Sequence, residues 1–190
     1  VSAYNKQMEL QGREPVVLEK NQFETTYSKV MWSKLKTGTG VYKVIWDKNK
    51  MNGLGDIDVR KCNILNLFWE PGVEDIQQSK YFFEVDFQDE TEVRAMFPAE
   101  LPEGKNIPHD FITSKYRYDD HVDTTDKVPV ISAYYHKNGV LHYILFVPGT
   151  VLYATENDPD RAMTGWYDHS KYPYVFDTLF PIEGSPCGYG

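Results

Sequence analysis

The chain has 190 residues, a formal net charge of -8 and two cysteines, Cys62 and Cys187. An acidic balance argues against a protein that grips DNA, because that affinity comes from Lys and Arg displacing counterions from phosphates. No run of about 18 apolar residues is present to cross a membrane as a helix. No secretory leader is visible, and the cysteines read as free thiols, with a disulfide as the alternative.

The length suits one domain over residues 1–190, able to bury roughly 70% of its unfolded surface. Aromatic residues make up 15% of the chain, a surplus typical of β-rich and interface-forming proteins. The chain starts at Val1 rather than Met, which reads as a processed or excised piece. Residues 1–20 form a polar lead-in, with a weak helical pattern up to Gly12. Residues 21–36 predict an amphipathic helix. Asn21 with Glu24 fits a capping box, and Phe23, Tyr27, Val30, Met31 and Leu35 recur at helical spacing. Lys34 and Lys36 lie in the last turn, and Gly38 fits a left-handed stop.

Residues 41–47 alternate as a strand, and 48–55 carry the Asn and Gly residues of a turn. Ile57 and Val59 alternate with Asp56, Asp58 and Arg60, which predicts a strand with one wet face. The apolar run 64–69 predicts a deeper strand, ended by Pro71-Gly72. Residues 81–87 predict another strand. Asp89 then caps a short helix that carries Val93, Met96 and Phe97 inward until Pro98. Residues 98–127 have little periodicity and read as a long loop or insertion, with a candidate edge strand at 111–118.

The firmest local signal is Asn138-Gly139 between two strand-like runs. A two-residue turn there pairs Lys137 with Val140, Tyr135 with His142 and Tyr134 with Tyr143. Neither face of this 128–147 hairpin is polar, so both need covering, by this chain or by a neighbouring subunit. A third meander strand follows at 151–155, then a loop at 158–168 and an extended aromatic stretch at 172–180. The Gly/Pro-rich end, 184–190, reads as a linker. The fold class expected is α+β, mostly antiparallel hairpins and meander packed against the N-terminal helix.

No residue set carries catalysis, a cofactor or a metal. Ser33, Lys36, Thr37 and Gly38 superficially match penicillin-enzyme motifs, but those lie far apart in sequence; a helix C-cap accounts for them better. Gly38-Thr39-Gly40 ends a helix instead of opening one, so it is no phosphate loop. The cluster Asp119, Asp120, His121, Asp123 and Asp126 lacks the Gly and distal Glu of an EF-hand loop. It reads as solvated loop, with a cation site as the alternative. The hairpin register puts His136 and His142 on opposite faces, so they cannot share a metal. His109 and His169 have no partner nearby in sequence.

One ordered set of stretches goes further. Gly38-Thr39-Gly40 leads into Val41 through Trp46-Asp47, then Gly55-Asp56-Ile57. The run from Asn63 to Trp69-Glu70-Pro71 follows, then Val73-Glu74-Asp75-Ile76 and Ser79 to Phe83. Tyr167-Asp168-His169-Ser170-Lys171-Tyr172-Pro173-Tyr174-Val175 comes late in the chain, before the glycine-rich end. This order resembles the portal proteins of tailed bacteriophages over most of residues 16–190, leaving 98–127 unmatched. The resemblance implies a wing-type portal region without stem, clip or crown. Such a protein forms a ring, usually dodecameric, at one vertex of the capsid. Its partners would be its own copies, the terminase, capsid and scaffold proteins and the head-tail connector. DNA passes through the ring without specific binding. The alternative is a non-catalytic tail or baseplate-type module that recognises protein or carbohydrate.

Overall fold

A computed structural model describes residues 19, 21–108 and 126–190. In chain order the elements are α1 (Phe23–Thr37), β1 (Thr39–Asp47), β2 (Asp56–Cys62), β3 (Leu67–Trp69), β4 (Tyr81–Asp89) and α2 (Glu90–Met96). After these come β5 (Lys127–Lys137), β6 (Val140–Val147), β7 (Thr150–Ala154), β8 (Tyr174–Thr178), β9 (Phe180–Pro181) and β10 (Gly188–Tyr189). The fold is α+β, and the strand pairs are antiparallel.

The chain divides into two compact units. The first holds the described residues up to Leu65, with Pro71–Gln78 and Pro173–Gly190; the second holds Asn66–Glu70 and Ser79–Tyr172. The chain therefore passes between them after Leu65, Glu70, Gln78 and Tyr172.

In the first unit a sheet of order β2-β1-β8 carries α1, and β9 pairs with β10. Val41, Cys62 and Tyr174 are buried; the pairings Val41 with Cys62 and Lys43 with Tyr174 put them on one face. α1 lies on the other face, where Phe23 stacks on Tyr42 at 5.9 Å and Lys34 pairs with Asp177 at 2.6 Å. Gly38 ends the helix as expected, with φ 79°, its N–H donating to the Lys34 carbonyl at 2.8 Å.

The start of α1 departs from the expected capping box. Its N-cap is Gln22, in a left-handed conformation and without a side-chain cap. Asn21 faces the edge of β2 instead. Its Nδ2 donates to the Ile57 carbonyl at 3.0 Å, and its Oδ1 accepts from the Val59 N–H at 3.3 Å and from Lys50 Nζ at 2.6 Å. An edge strand offers a donor and an acceptor together, which suit both ends of an amide. The apolar stripe of α1 is also less buried than its spacing predicts. Val30 is buried, but Tyr27 and Leu35 stay 46% and 56% exposed.

The second unit is built on a sheet of order β3-β4-β5-β6-β7. Asn138 and Gly139 both have positive φ, as the two-residue turn requires, and the three pairings expected around it are those found. One face of this sheet is covered twice by the chain. Val128, Val130, Val147 and Leu152 form an aliphatic core with Val93 of α2 and with Leu101 and Ile107. Farther along, Phe82, Tyr134 and Tyr143 meet Tyr172 and Trp166 in an aromatic layer. Leu101 and Ile107 fall in the expected long loop, whose first part is ordered by Arg94. That guanidinium donates to the Pro102 and Lys105 carbonyls at 3.3 and 2.5 Å.

Four local expectations change. Only Leu67–Trp69 of the 64–69 run is strand, because Asn63 Oδ1 accepts the Leu65 N–H at 3.2 Å and turns the chain first. Met96 is 57% exposed, while Val93 is buried. In the 172–180 stretch, Tyr172 belongs to the second unit and Tyr174–Thr178 pairs with β1. The expected linker at 184–190 is tied down, with the Gly188 N–H donating to Thr39 Oγ1 at 2.8 Å and β10 pairing with β9. Residues 1–18, the candidate strand 111–118, and His109 and His121 lie outside the described residues.

Gly38 and Gly139 are both left-handed, but only Gly38 is crowded: a Cβ there would collide with the Tyr189 backbone, and one at Gly139 would meet nothing. Gly139→Ala is expected to cost about 1–2 kcal/mol from conformation alone. Gly38→Ala is expected to cost at least about 2 kcal/mol more. Urea unfolding of the two variants measures the difference, and equal losses would contradict the crowding at Gly38.

Candidate functional site

The histidines are placed as the register requires, on opposite faces of the hairpin and each in its own setting. His142 is buried, with Nδ1 3.1 Å from Thr155 Oγ1 and its ring stacked on Tyr135. Thr155 Oγ1 also accepts the Tyr143 N–H at 3.0 Å. His136 Nε2 lies 2.9 Å from the Ser170 carbonyl and Nδ1 3.1 Å from the Tyr172 hydroxyl, which in turn donates to the Ser79 carbonyl at 2.7 Å. These bonds join β5, the 170–172 loop and the residues before β4. His169 stacks on Tyr167, and its Nδ1 accepts the Lys171 N–H. Among the described residues no group of three His, Cys, Asp or Glu could hold a metal. Both cysteines are free. Thr37 Oγ1 donates to the Ser33 carbonyl at 3.0 Å, so the Ser33–Gly38 stretch closes a helix.

Two tyrosines pack against the Trp166 ring, Tyr143 at 4.5 Å and Tyr153 at 5.7 Å. Burial pushes the Tyr143 hydroxyl up to about 12. Tyr153 also rises to about 12, from burial and from its hydrogen bond to the Asp158 carboxylate at 2.8 Å. Both stay protonated near neutral pH and act as hydrogen-bonding groups. Arg161 lies over the Trp166 ring at 4.6 Å and donates to the Trp166 carbonyl at 3.1 Å, fixing the loop at 158–168.

Two polar places were not legible in the sequence. The first is a groove of about 420 Å³ along β7, an edge strand of its sheet. Its walls include Glu100, Val151, Tyr153, Asn157 and Asp158. Strand edge, aliphatic wall and carboxylates together suit an extended ligand with polar or cationic groups. No hydrophobic pattern could have announced it, because its two sides come from segments about 50 residues apart in the chain.

The second is an ion network on β2. Asp58 was expected to face water, but it is only 9% exposed. Lys50 Nζ contacts its Oδ1 at 2.6 Å, and Arg60 Nε pairs with Oδ2. Arg60 also reaches Asp47 at 3.3 Å. Burial pushes the Asp58 carboxyl up, but hydrogen bonds from Lys50 and Arg60 outweigh it and hold the group below its ordinary value. The alternation of charges at 56, 58 and 60 was visible; the cations that allow Asp58 to turn inward come from the turn and from its own strand.

A depressed carboxyl stabilises the fold above its unfolded value, about 3.9, and that contribution fades as pH falls through the folded value. Asp58→Asn is therefore expected to lose about 1–3 kcal/mol at neutral pH and to show a flatter acid limb. Urea midpoints taken at stepped pH check both parts; an unchanged acid limb would remove Asp58 from the acid response.

No helix among the described residues is long and apolar enough to cross a membrane. No family model and no curated protein matches the chain.

Proposed function

We propose that this chain is a structural, wing-type part of a phage or prophage portal ring at the capsid vertex of the virion, assembled in the bacterial host cytoplasm. The ring serves DNA packaging and ejection and joins head to tail. Copies of the same chain are its main partners, with terminase, capsid or scaffold and connector proteins around them. The observation that carries the reading is the ordered set of stretches from Gly38-Thr39-Gly40 to Tyr172-Pro173-Tyr174-Val175. It gains support from the pairing of its distant ends. β1, which follows the glycines, lies beside β8, and the Val44 N–H donates to the Pro173 carbonyl at 2.9 Å. The groups that could suggest chemistry are engaged in bonds that hold segments together, which suits a structural role.

Native mass measurement of the protein in its full reading frame tests the proposal. A ring is expected, usually of twelve copies, and a stable monomer would sink it. The charge of -8 supports passage of DNA without specific binding. No salt-dependent shift of duplex DNA is expected at about micromolar protein and physiological salt.

The groove along β7 favours a second reading, a non-catalytic tail or baseplate-type module that recognises protein or carbohydrate. The downstream reading frame separates the two. A long helical segment directly following residue 190 fits the portal and not the module.

A further inference from the structure

The outer side of α1 carries two neighbouring rows of side chains, exposed except for the half-buried Met31. Residues four apart form ridges on a helix. One ridge is Glu24, Ser28, Trp32 and Lys36; the next is Tyr27, Met31 and Leu35. Trp32 is 62% exposed, Leu35 56% and Tyr27 46%. The Tyr189 backbone packs against Gly38, and Tyr189 stacks on Phe180 at 5.5 Å with both rings more than half exposed. This pair adjoins the last turn of α1. Together the five side chains leave roughly 500 Å² of largely apolar surface open. Monomeric proteins rarely expose a contiguous apolar patch larger than a few hundred Å².

The first ridge is complementary to itself when reversed. Glu24 stands at one end and Lys36 at the other, with Ser28 and Trp32 between them. A second helix laid antiparallel, centred near Val30, sets Glu24 against Lys36 of the other copy. It also sets Trp32 of each copy beside the small Ser28 of the other. Lys36 already sits 4.7 Å from the Trp32 ring centre, so its charge is held on this face. Lys34 is turned away, paired with Asp177.

We infer that this face of α1 is a homotypic contact, closed by a second copy of this chain with the two helices antiparallel about a two-fold axis. Two such patches bury about 1,000 Å², the low end for specific association. The contact is thus weak and reversible. It is also separate from the ring proposed above, since a two-fold contact closes at two copies whereas a ring needs a head-to-tail one.

Sedimentation equilibrium of the 190-residue chain, from about 5 to about 500 µM, tests the inference. A monomer–dimer equilibrium is expected, with Trp32 fluorescence shifting to the blue as dimer forms. Trp32→Glu should weaken association at least tenfold with the circular dichroism unchanged, because the side chain is already in solvent. Glu24→Lys and Lys36→Glu should each weaken it alone. Their equimolar mixture should restore it, because both end contacts are then opposite in sign. A chain monomeric at every concentration overturns the inference, as does a dimer indifferent to Trp32→Glu. A mixture no better than its components overturns the antiparallel arrangement.

Discussion

The first unit depends on how closely backbone approaches backbone at residues 38–40. α1 stops and β1 starts there, and the chain's last strand passes against them. A Cβ at Gly38 would strike Tyr189, and one at Gly40 would strike Val30. Thr39, between them, is 1% exposed, and its hydroxyl accepts the Gly188 N–H. The Gly38 carbonyl accepts the Leu179 N–H at 2.9 Å, while the Thr37 hydroxyl, with its one proton, lies 3.0 Å from both the Ser33 and the Thr39 carbonyl. One short stretch thus settles the helix stop, the start of the central strand and the position of residues some 140 to 150 positions later. Larger side chains would hold these segments apart and leave backbone groups without partners, a cost comparable to a lost hydrogen bond for each.

Buried polar groups do similar work elsewhere. An unpaired charge at Asp58 would cost several kcal/mol, yet Lys50 and Arg60 meet it on both oxygens. Lys50 also reaches Asn21 and the Ile57 carbonyl, so one ammonium joins the β1–β2 turn, the edge of β2 and the chain two residues before α1. In the second unit Thr155 serves two partners, the His142 ring and the Tyr143 N–H. Each bond of this kind specifies one register or one loop path, which apolar packing alone leaves looser.

What the sequence made legible was local. The Asn138-Gly139 turn needs positive φ at both residues, and that alone sets the pairings around it. Gly38 is likewise the one residue type that ends a helix in this conformation without strain. What escaped was decided by distant partners. Asn21 has the chemistry of a cap, but the edge of β2 competes for the same amide and wins. Asp58 reads as a wet position until Lys50 folds back from the turn. Residues 184–190 have linker composition, and their order comes from Thr39 and β9. The groove at β7 needs Glu100 beside a strand that begins at Thr150.

The aromatic surplus has two destinations with different physical meanings. In the second unit the rings of Phe82, Tyr134, Tyr143, Tyr172 and Trp166 pack on one another at centroid distances from 4.5 to 6.4 Å. The Tyr143 hydroxyl lies 3.1 Å from Ser132 Oγ, and the Tyr172 hydroxyl donates to the Ser79 carbonyl. The abundance of these rings is accounted for by the fold. In the first unit Trp32 and Trp46 are more than half exposed, as are Phe180 and Tyr189. They add little to a core they barely touch, and each leaves apolar area in water at roughly 25 cal/mol per Å². A fold can lose that area by substitution without losing packing. Of the four, Trp32 stands on α1 between Glu24 and Lys36, so what its indole contributes lies at the surface of this chain rather than in its interior.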